Sequence, residues 1–466
     1  MGQTLADSVE RVDVAGPGFL NLFMTDAWYR RAVADMVEAG AGWGSGCAEP
    51  AERVLVEFVS GNPTGPATAA SGRHAAYGDA LARILDFAGN DVSREYYVND
   101  HGSQVLRFGE SIRARARGEE PPEDGYQGDY VTELAGRIPG AADADPAELA
   151  RIGVELMVEG IRVTLERFRV RMDRFFSERS VYDRGEVENA LAMLAEHGHV
   201  YESDGAIWLR TTAFGDDKDR VLRRSSGQVT YFASDIAYHL DKRERGFERL
   251  IDVLGPDHHG YIARMMAAWE ALGGEPGRFE ILIMQLVNLT EGGQRAQMSK
   301  RQGDFVTLDE LIDDIGVDAA RFFLVQRSHD TTLDLDLTLA REQSDKNPVY
   351  YVQYAHARIA SILRRAEGRP DASAPAGEGA LHPSEKALIK RMLEFPAEMD
   401  TAVERRAPHL LTTYARDLAQ DFSAFYRDCK VVGTPEEPFR LALSGQVKRV
   451  IAKSLELLGV DAPEEM

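Results

Sequence analysis

The run V-L-V-E-F-V, residues 54 to 59, breaks at the turn S-G-N-P-T-G-P and passes directly into a helix of small residues, A-T-A-A-S-G-R-H-A-A-Y-G-D-A-L-A-R-I-L. Strand, turn and helix in this order form the unit with which parallel α/β sheets hold phosphates. An apolar strand of this kind needs cover on both faces, and a parallel neighbour needs a crossover helix. Tyr77, Leu81, Ile84, Leu85 and Ala88 recur at helical spacing, and Gly89 ends that helix. The run V-S-R-E-Y-Y-V supplies the second strand, which completes a βαβ unit.

The same periodicity returns with L-I-D-V-L-G at 250 to 255, a helix from about Tyr261 to Leu272, and a buried strand E-I-L-I-M-Q-L-V. Between the two halves, about 110 to 224, charged and Pro-rich stretches give way to helical patterns and a strand in A-I-W-L-R-T-T. That stretch reads as an insertion. Past Asp345 the chain turns helical. Asn347-Pro348 pairs an N-cap acceptor with proline at the first helical position. Tyr351, Ala355, Ile359 and Ile362 share a face, and two further amphipathic segments follow a Gly/Pro/Ala-rich linker at about 368 to 379. The expected fold is therefore α/β: a parallel-sheet domain at 51–344 followed by an α-helical bundle at 345–466. Ahead of them lie V-A-G-P-G-F-L-N-L, a turn with a short strand, a helix from Asp26 to Gly40, and a flexible loop from Ala39 to Gly46.

The formal charge of −22 is unevenly spread. Residues 345 to 466 carry 17 Lys and Arg against 18 Asp and Glu, which leaves 37 against 58 in the residues before them. A nucleic-acid partner therefore cannot be argued from overall charge and would need a local basic surface. Cys47 and Cys429 stand far apart and outside any C-x-x-C pattern, so neither a disulfide framework nor a zinc site is expected. No apolar run of membrane-spanning length and no signal peptide is present, which points to a cytoplasmic chain with no membrane partner.

Four stretches carry chemistry. In the first turn, Gly61, Pro63, Gly65, Pro66 and Gly72 let backbone approach a ligand, and the helix starting near Gly72 aims its N–H groups at the loop. In Q-M-S-K-R-Q-G-D-F-V-T-L, residues 297 to 308, Lys300 beside Ser299 suits charge neutralisation of a transferring phosphate, although an isolated S-K-R also reads as a solvated loop. In G-P-D-H-H-G-Y, residues 255 to 261, adjacent histidines point to different faces. A nucleotide contact at a strand end fits them better than a shared metal. Last, Glu57 lies inside an apolar strand, where an unpaired carboxylate costs several kcal/mol. Either a cationic ligand or an internal arginine would pair it.

Taken in order, V-E-F-V-S-G-N-P-T-G-P, S-R-E-Y-Y-V-N-D-H-G-S-Q, Y-F-A-S-D-I-A-Y-H-L-D-K, D-H-H-G-Y, Q-M-S-K-R-Q-G-D-F-V-T-L-D-E-L, N-P-V-Y-Y-V-Q-Y-A-H-A-R and L-L-G-V-D-A-P-E resemble the arginyl-tRNA synthetases, which are class I aminoacyl-tRNA synthetases. The resemblance spans nearly the whole chain. It implies a Rossmann-type catalytic domain with an insertion, an α-helical anticodon-binding domain, and a monomer that joins arginine to tRNA(Arg) with ATP and Mg2+. It sets Glu57, Asn62, Tyr231 and Asp235 toward arginine, with two carboxylates facing the guanidinium. Gly65, Gly72, Gly255, His258, His259, Met298 and Lys300 are set toward ATP. Lys300, Ser299, Thr68 and Ser71 are set toward the reaction itself.

Two departures accompany the resemblance. Where the family has His-x-Gly-His this chain has Thr68-Ala69-Ala70-Ser71. Loss of one such transition-state donor typically costs a factor of about 10² to 10³. The replacement also admits a second reading: a weakened paralogue that binds arginine or tRNA as a regulator, or that activates arginine for another acceptor. Residues 1 to 50 are expected as a remnant of the family's additional N-terminal domain, with its last strand around Gly16 to Leu22, and a linker.

Overall fold

The computed structural model describes residues 8–296, 306–366 and 379–466. The chain divides into two compact units. One gathers Met1–Glu49, Phe87–Gly89 and Leu339–Met466. Its long helices run over Pro348–Arg365, Pro383–Glu404, His409–Asp428 and Glu437–Leu458. The first opens as the sequence predicts, with the Asn347 side chain accepting from the backbone N–H groups of Val349 and Tyr350. Leu411, Tyr414, Leu418, Phe422 and Phe425 form the buried stripe of the third, and the fourth stops at Gly459 in the left-handed region, φ 69°. The N-terminal residues join this helical unit. Asp26–Ala39 is a helix, Arg30 donates to the Gly379 carbonyl at 2.8 Å, and Trp43 donates to that of Met392 at 3.1 Å. Ahead of it an antiparallel hairpin pairs Val9–Ala15 with Phe19–Met24.

The other unit, Pro50–Asp86 with Asn90–Thr338, is built on a five-stranded parallel sheet. Its strands are β1 (Arg53–Glu57), β2 (Asp91–Val98), β3 (Arg174–Ser177), β4 (Arg249–Leu254) and β5 (Phe279–Ile283), in spatial order β5-β4-β1-β2-β3. Val54, Leu55 and Val56 are almost fully buried, as a central strand covered on both faces requires. Helix α1 (Ala69–Phe87) follows β1, and α2 (Tyr231–Glu244) precedes β4. Leu55, Tyr97, Phe176, Tyr238 and Leu250 belong to one apolar core, in which the Tyr238 ring lies 4.4 Å from Tyr97 and 4.6 Å from Phe176.

Two expectations about this unit are corrected. The stretch from 110 to 224 is not wholly an insertion, because β3 pairs with β2 as a parallel edge strand. Four residues, R-F-F-S, are too short to show a period. Within that stretch the three-stranded antiparallel sheet of Val200–Ser203, Ala206–Leu209 and Arg220–Arg223 stands apart from the main sheet. The expected strand E-I-L-I-M-Q-L-V is also two. β5 ends at Ile283, the N–H of Gln285 turns to the His329 carbonyl, and Val287–Glu291 pairs in a different sheet.

Candidate active site

From β1 the chain adds β2 and β3 on one side of the sheet, then β4 and β5 on the other. The connection reverses between β1 and β4, and the crevice beyond the carboxyl ends of those strands is where open α/β sheets take ligands. A cavity of about 450 Å³ opens there. Glu57, Asn62, Tyr97, Glu178, Tyr231, Asp235, Tyr238, His239, Asp252, Leu254 and His258 are among its lining residues.

The turn after β1 is fastened to the end of β2. The Ser60 hydroxyl accepts from the Tyr97 N–H, Gly61 N–H donates to the Tyr97 carbonyl, and Asn99 N–H donates to that of Gly61, at 2.9, 3.1 and 3.2 Å. Val59 is held at φ 71°, a strained conformation for a β-branched residue. This fastening brings Asn62 to the cavity, where it donates to Gln104 at 2.6 Å and accepts from Asn99 at 3.1 Å.

Glu57 has an internal partner, and it is a lysine. Lys242 of α2, fully buried, donates to Glu57 at 2.6 Å and to Asp252 of β4 at 2.8 Å. His239, one turn earlier, contacts the other Asp252 oxygen at 2.8 Å and the Asp235 carbonyl at 2.7 Å. Burial works to raise Asp252, but Lys242 and His239 outweigh it and bring it down to about 2.

Two other carboxylates have no lysine or arginine against them among the described residues. Asp235 takes a hydrogen bond from the Tyr261 hydroxyl. Burial pushes its pKa up to about 6, against the pull of Tyr261 and His239. Glu178 follows β3 and is 5% exposed. Burial, then the charges of Asp235 and Asp100, push it up to about 8. The Tyr97 hydroxyl is also buried without a hydrogen-bond partner. An acidic, partly orphaned wall of this kind fits a delocalised cation such as guanidinium, which pairs with planar carboxylates through a fork of donors.

Asn62, Tyr231, Asp235 and His258 thus come together on one cavity. Glu57 lines it too, with the Lys242 ammonium on one of its carboxylate oxygens. His259 is exposed and is not among the lining residues. Gly72 was expected to admit a nucleotide, yet a Cβ there would stand 2.7 Å from Leu308, so its bareness serves helix packing. A Cβ at Gly65 would meet the Tyr130 hydroxyl at 3.4 Å, and one at Gly255 only the flexible carboxylate of Asp257. Met298, Ser299 and Lys300 lie outside the described residues.

Thr68 and Ser71 act on each other. Thr68 Oγ1 accepts from the Ser71 N–H at 3.2 Å and sits 3.1 Å from its hydroxyl, so it caps a helix that begins at Ala69 rather than near Gly72. The Ala69 N–H donates to the Val306 carbonyl, and Leu308 N–H to that of Ala67, both within 2.9 Å. Two amides of the first turn are therefore already bonded, which weakens the expected phosphate cradle.

Sequence reasoning missed Glu178 and Lys242. Glu178 sits in F-S-E-R-S inside the supposed insertion, where an acid straight after a short aromatic run was the available signal. Lys242 stands in the charged string D-K-R-E-R, which reads as a solvated face. Among the described residues no cluster of three His, Cys, Asp or Glu could hold a metal ion, and no helix is long and apolar enough to cross a membrane.

A family profile described as "tRNA synthetases class I (R), catalytic domain" matches residues 143–359, and one described as "DALR anticodon binding domain" matches residues 352–466. The chain is 47% identical to an arginine–tRNA ligase of Clavibacter sepedonicus over 97% of its own length and 85% of that protein. Its fold superposes on a Campylobacter jejuni crystal structure assigned as an arginyl-tRNA synthetase with a TM-score of 0.87. That match has 34% identity and covers 94% of this chain and 99% of the other. The Thermus thermophilus arginyl-tRNA synthetase gives 0.78, with 25% identity over 98% and 89%.

Proposed function

From the premise that the chain belongs to the arginyl-tRNA synthetases, and so is an arginine–tRNA ligase that uses ATP, we propose that Asp235 and Glu178 are the carboxylates that seat the substrate guanidinium. The observation that carries this assignment is the pairing within the cavity. Lys242 serves Glu57 and Asp252, while Asp235 and Glu178 have no such cation among the described residues. Asn62 and Tyr231 stand on the same cavity as polar contacts for the rest of the amino acid.

In the first step an arginine carboxylate oxygen attacks the α-phosphorus of ATP. The bond to the bridging oxygen breaks, and pyrophosphate leaves arginyl-adenylate behind. In the second a terminal ribose hydroxyl of tRNA(Arg) attacks the activated carbonyl, loses its proton and expels AMP. The protein's contribution is placement, since a guanidinium fixed at one end of the cavity fixes the carboxylate at the other. His258 lines the cavity beyond β4, which supports its reading as a nucleotide contact. Gly65 follows β1 and Gly255 follows β4, and they belong to the ATP site by resemblance, as Met298, Ser299 and Lys300 belong to its phosphate side. ATP enters as its Mg2+ complex, the metal riding on the phosphates as part of the substrate. Thr68 and Ser71 cap α1, and in this reading they support the helix more than the reaction. We place the enzyme as a monomer in the cytoplasm, where its tRNA and ATP are found.

The test is charging of tRNA(Arg) by purified protein with Asp235→Asn as its partner. Wild type should charge arginine well above background, and the variant should raise KM for arginine by about 10² while KM for ATP holds, as expected for a lost charged hydrogen bond in a buried site. Equal KM values for arginine in the two proteins would reject the assignment.

A further inference from the structure

Tyr97, on β2, is 7% exposed and lines the acidic cavity. It pairs with Phe176 of β3, whose ring centroid lies 6.0 Å from its own, and the Tyr238 ring of α2 packs on it at 4.4 Å. These contacts tie it to both carboxylates that lack a lysine or arginine. Glu178 directly follows β3, and its N–H donates to the carbonyl of Val98, next to Tyr97, at 3.0 Å. Asp235 lies about one turn before Tyr238 on the same side of α2. The Tyr97 ring is therefore held between the elements that carry Glu178 and Asp235.

The Tyr238 hydroxyl donates to Glu95 at 2.7 Å and the Tyr261 hydroxyl to Asp235, but the Tyr97 hydroxyl is buried with no partner among the described residues. A phenol taken out of water normally finds one, and leaving it bare costs stability. Burial, and after it the charges of Asp235, Glu178 and Glu57, raise its pKa, so it keeps its proton and stays both donor and acceptor. A guanidinium held by two carboxylates matches such a group. It carries five N–H donors in one plane, carboxylates met side-on take two each, and one donor remains. A third acid on that donor would add another buried charge, whereas a phenol oxygen accepts without one.

We propose that Tyr97 is a further specificity residue for arginine, its hydroxyl oxygen accepting the guanidinium N–H that Asp235 and Glu178 leave over. This role rests on the reading of those two carboxylates as the seat of the guanidinium. The hydroxyl is then unpaired in the free enzyme and paired in the complex, so stability and affinity depend on it with opposite sign.

The test compares wild type, Tyr97→Phe and Asp235→Asn in tRNA(Arg) charging, in urea unfolding, and in calorimetric binding of arginine and of agmatine, which has the guanidinium but no carboxylate. Tyr97→Phe keeps the ring and should raise KM for arginine about tenfold with KM for ATP unchanged, the usual size for one hydrogen bond to a charged group. Kd should rise by the same factor for arginine and agmatine, since both present the guanidinium. The urea midpoint of the free variant should hold or rise, because the atom removed has no partner there. An unchanged KM for arginine with Tyr97→Phe, while Asp235→Asn raises it, would overturn the proposal and leave the guanidinium seat standing. A penalty present for arginine and absent for agmatine would overturn it by putting the hydroxyl at the other end of the substrate. A variant that unfolds at lower urea would do the same, since the hydroxyl would then have a structural partner. No effect on arginine from either variant would reject the seat itself and the role of Tyr97 with it.

Discussion

Arginine binding should expel about one proton at pH 7. In the free site Glu178, at about 8, is mostly protonated, and Asp235, at about 6, is mostly ionised. A guanidinium keeps its charge at every accessible pH and pairs with both groups only when both are ionised. From these values the free protein at pH 7 holds about 0.9 proton on Glu178 and about 0.1 on Asp235. At pH 9 the sum falls to about 0.1, and at pH 6 it rises to about 1.5. Affinity for arginine is therefore full above pH 8 and drops about tenfold per unit between pH 8 and 6 as Glu178 takes its proton, then more steeply as Asp235 follows. Stability of the free protein runs the other way. Both folded pKa values lie above the ordinary 4.5 and 3.8, so the folded chain binds more protons than the unfolded one. The stability these groups contribute is present below the unfolded values and is lost as pH rises through about 6 and then about 8. Calorimetric titration of arginine at pH 7, in buffers of differing ionisation enthalpy, gives proton release directly as the slope of heat against buffer enthalpy. Glu178→Gln should reduce the release to about 0.1. Release below about 0.2 from wild type, or equal release from the variant, would refute the reasoning.

Two further outcomes follow from the same contacts. Lys242→Met leaves Glu57 and Asp252 facing each other without their cation and should cost about 3 to 5 kcal/mol in urea unfolding, with partial recovery when Glu57→Gln is added; a loss under about 1 kcal/mol would mean the ammonium is dispensable. Replacing Thr68 and Ser71 by His and Ala70 by Gly removes the α1 cap and should lower stability by about 1 to 2 kcal/mol. The same change should raise the charging rate at least tenfold if imidazole donors outperform the present hydroxyls, and a smaller gain would show that they do not.

What was legible in the sequence was what local period and turn chemistry decide. The apolar run at Val54 to Val56 and the helical spacing from Tyr77 to Leu85 appear as β1 and α1, because burial on both faces leaves continuous apolar letters. His258 was legible through its place at a strand end, and Asn62, Tyr231 and Asp235 through the resemblance of the motifs that hold them; all four line one cavity. Glu178 and Lys242 were not. Lys242 meets Glu57 across 185 positions of chain, and only the parallel order β4-β1-β2 brings α2 over that strand end. No window of sequence contains that information. Gly72 shows the converse limit, since a glycine near a turn reads as room for a ligand while its neighbour, Leu308, lies more than 200 residues away.

The arrangement of charge also explains why the cavity would take arginine and refuse lysine. Four carboxylates, Glu57, Asp252, Asp235 and Glu178, converge on one wall. Left entirely without cations, buried acids so close together would protonate and lose their use as a recognition surface. Lys242 and His239 prevent this for Asp252, while at Glu57 burial outweighs the same ammonium and raises the carboxyl; Lys242 itself has no solvent exposure, so it is a fixed member of the cluster and cannot exchange. The charge that remains is divided between Asp235, on a helix, and Glu178, beyond an edge strand of the sheet. A compact ammonium can neutralise one of them at close range and leaves the other protonated. A planar guanidinium presents donors on two sides and can meet both, ionising Glu178 as it does so. Selection for arginine and release of a proton are then one event, and substituting Glu178 should weaken both together.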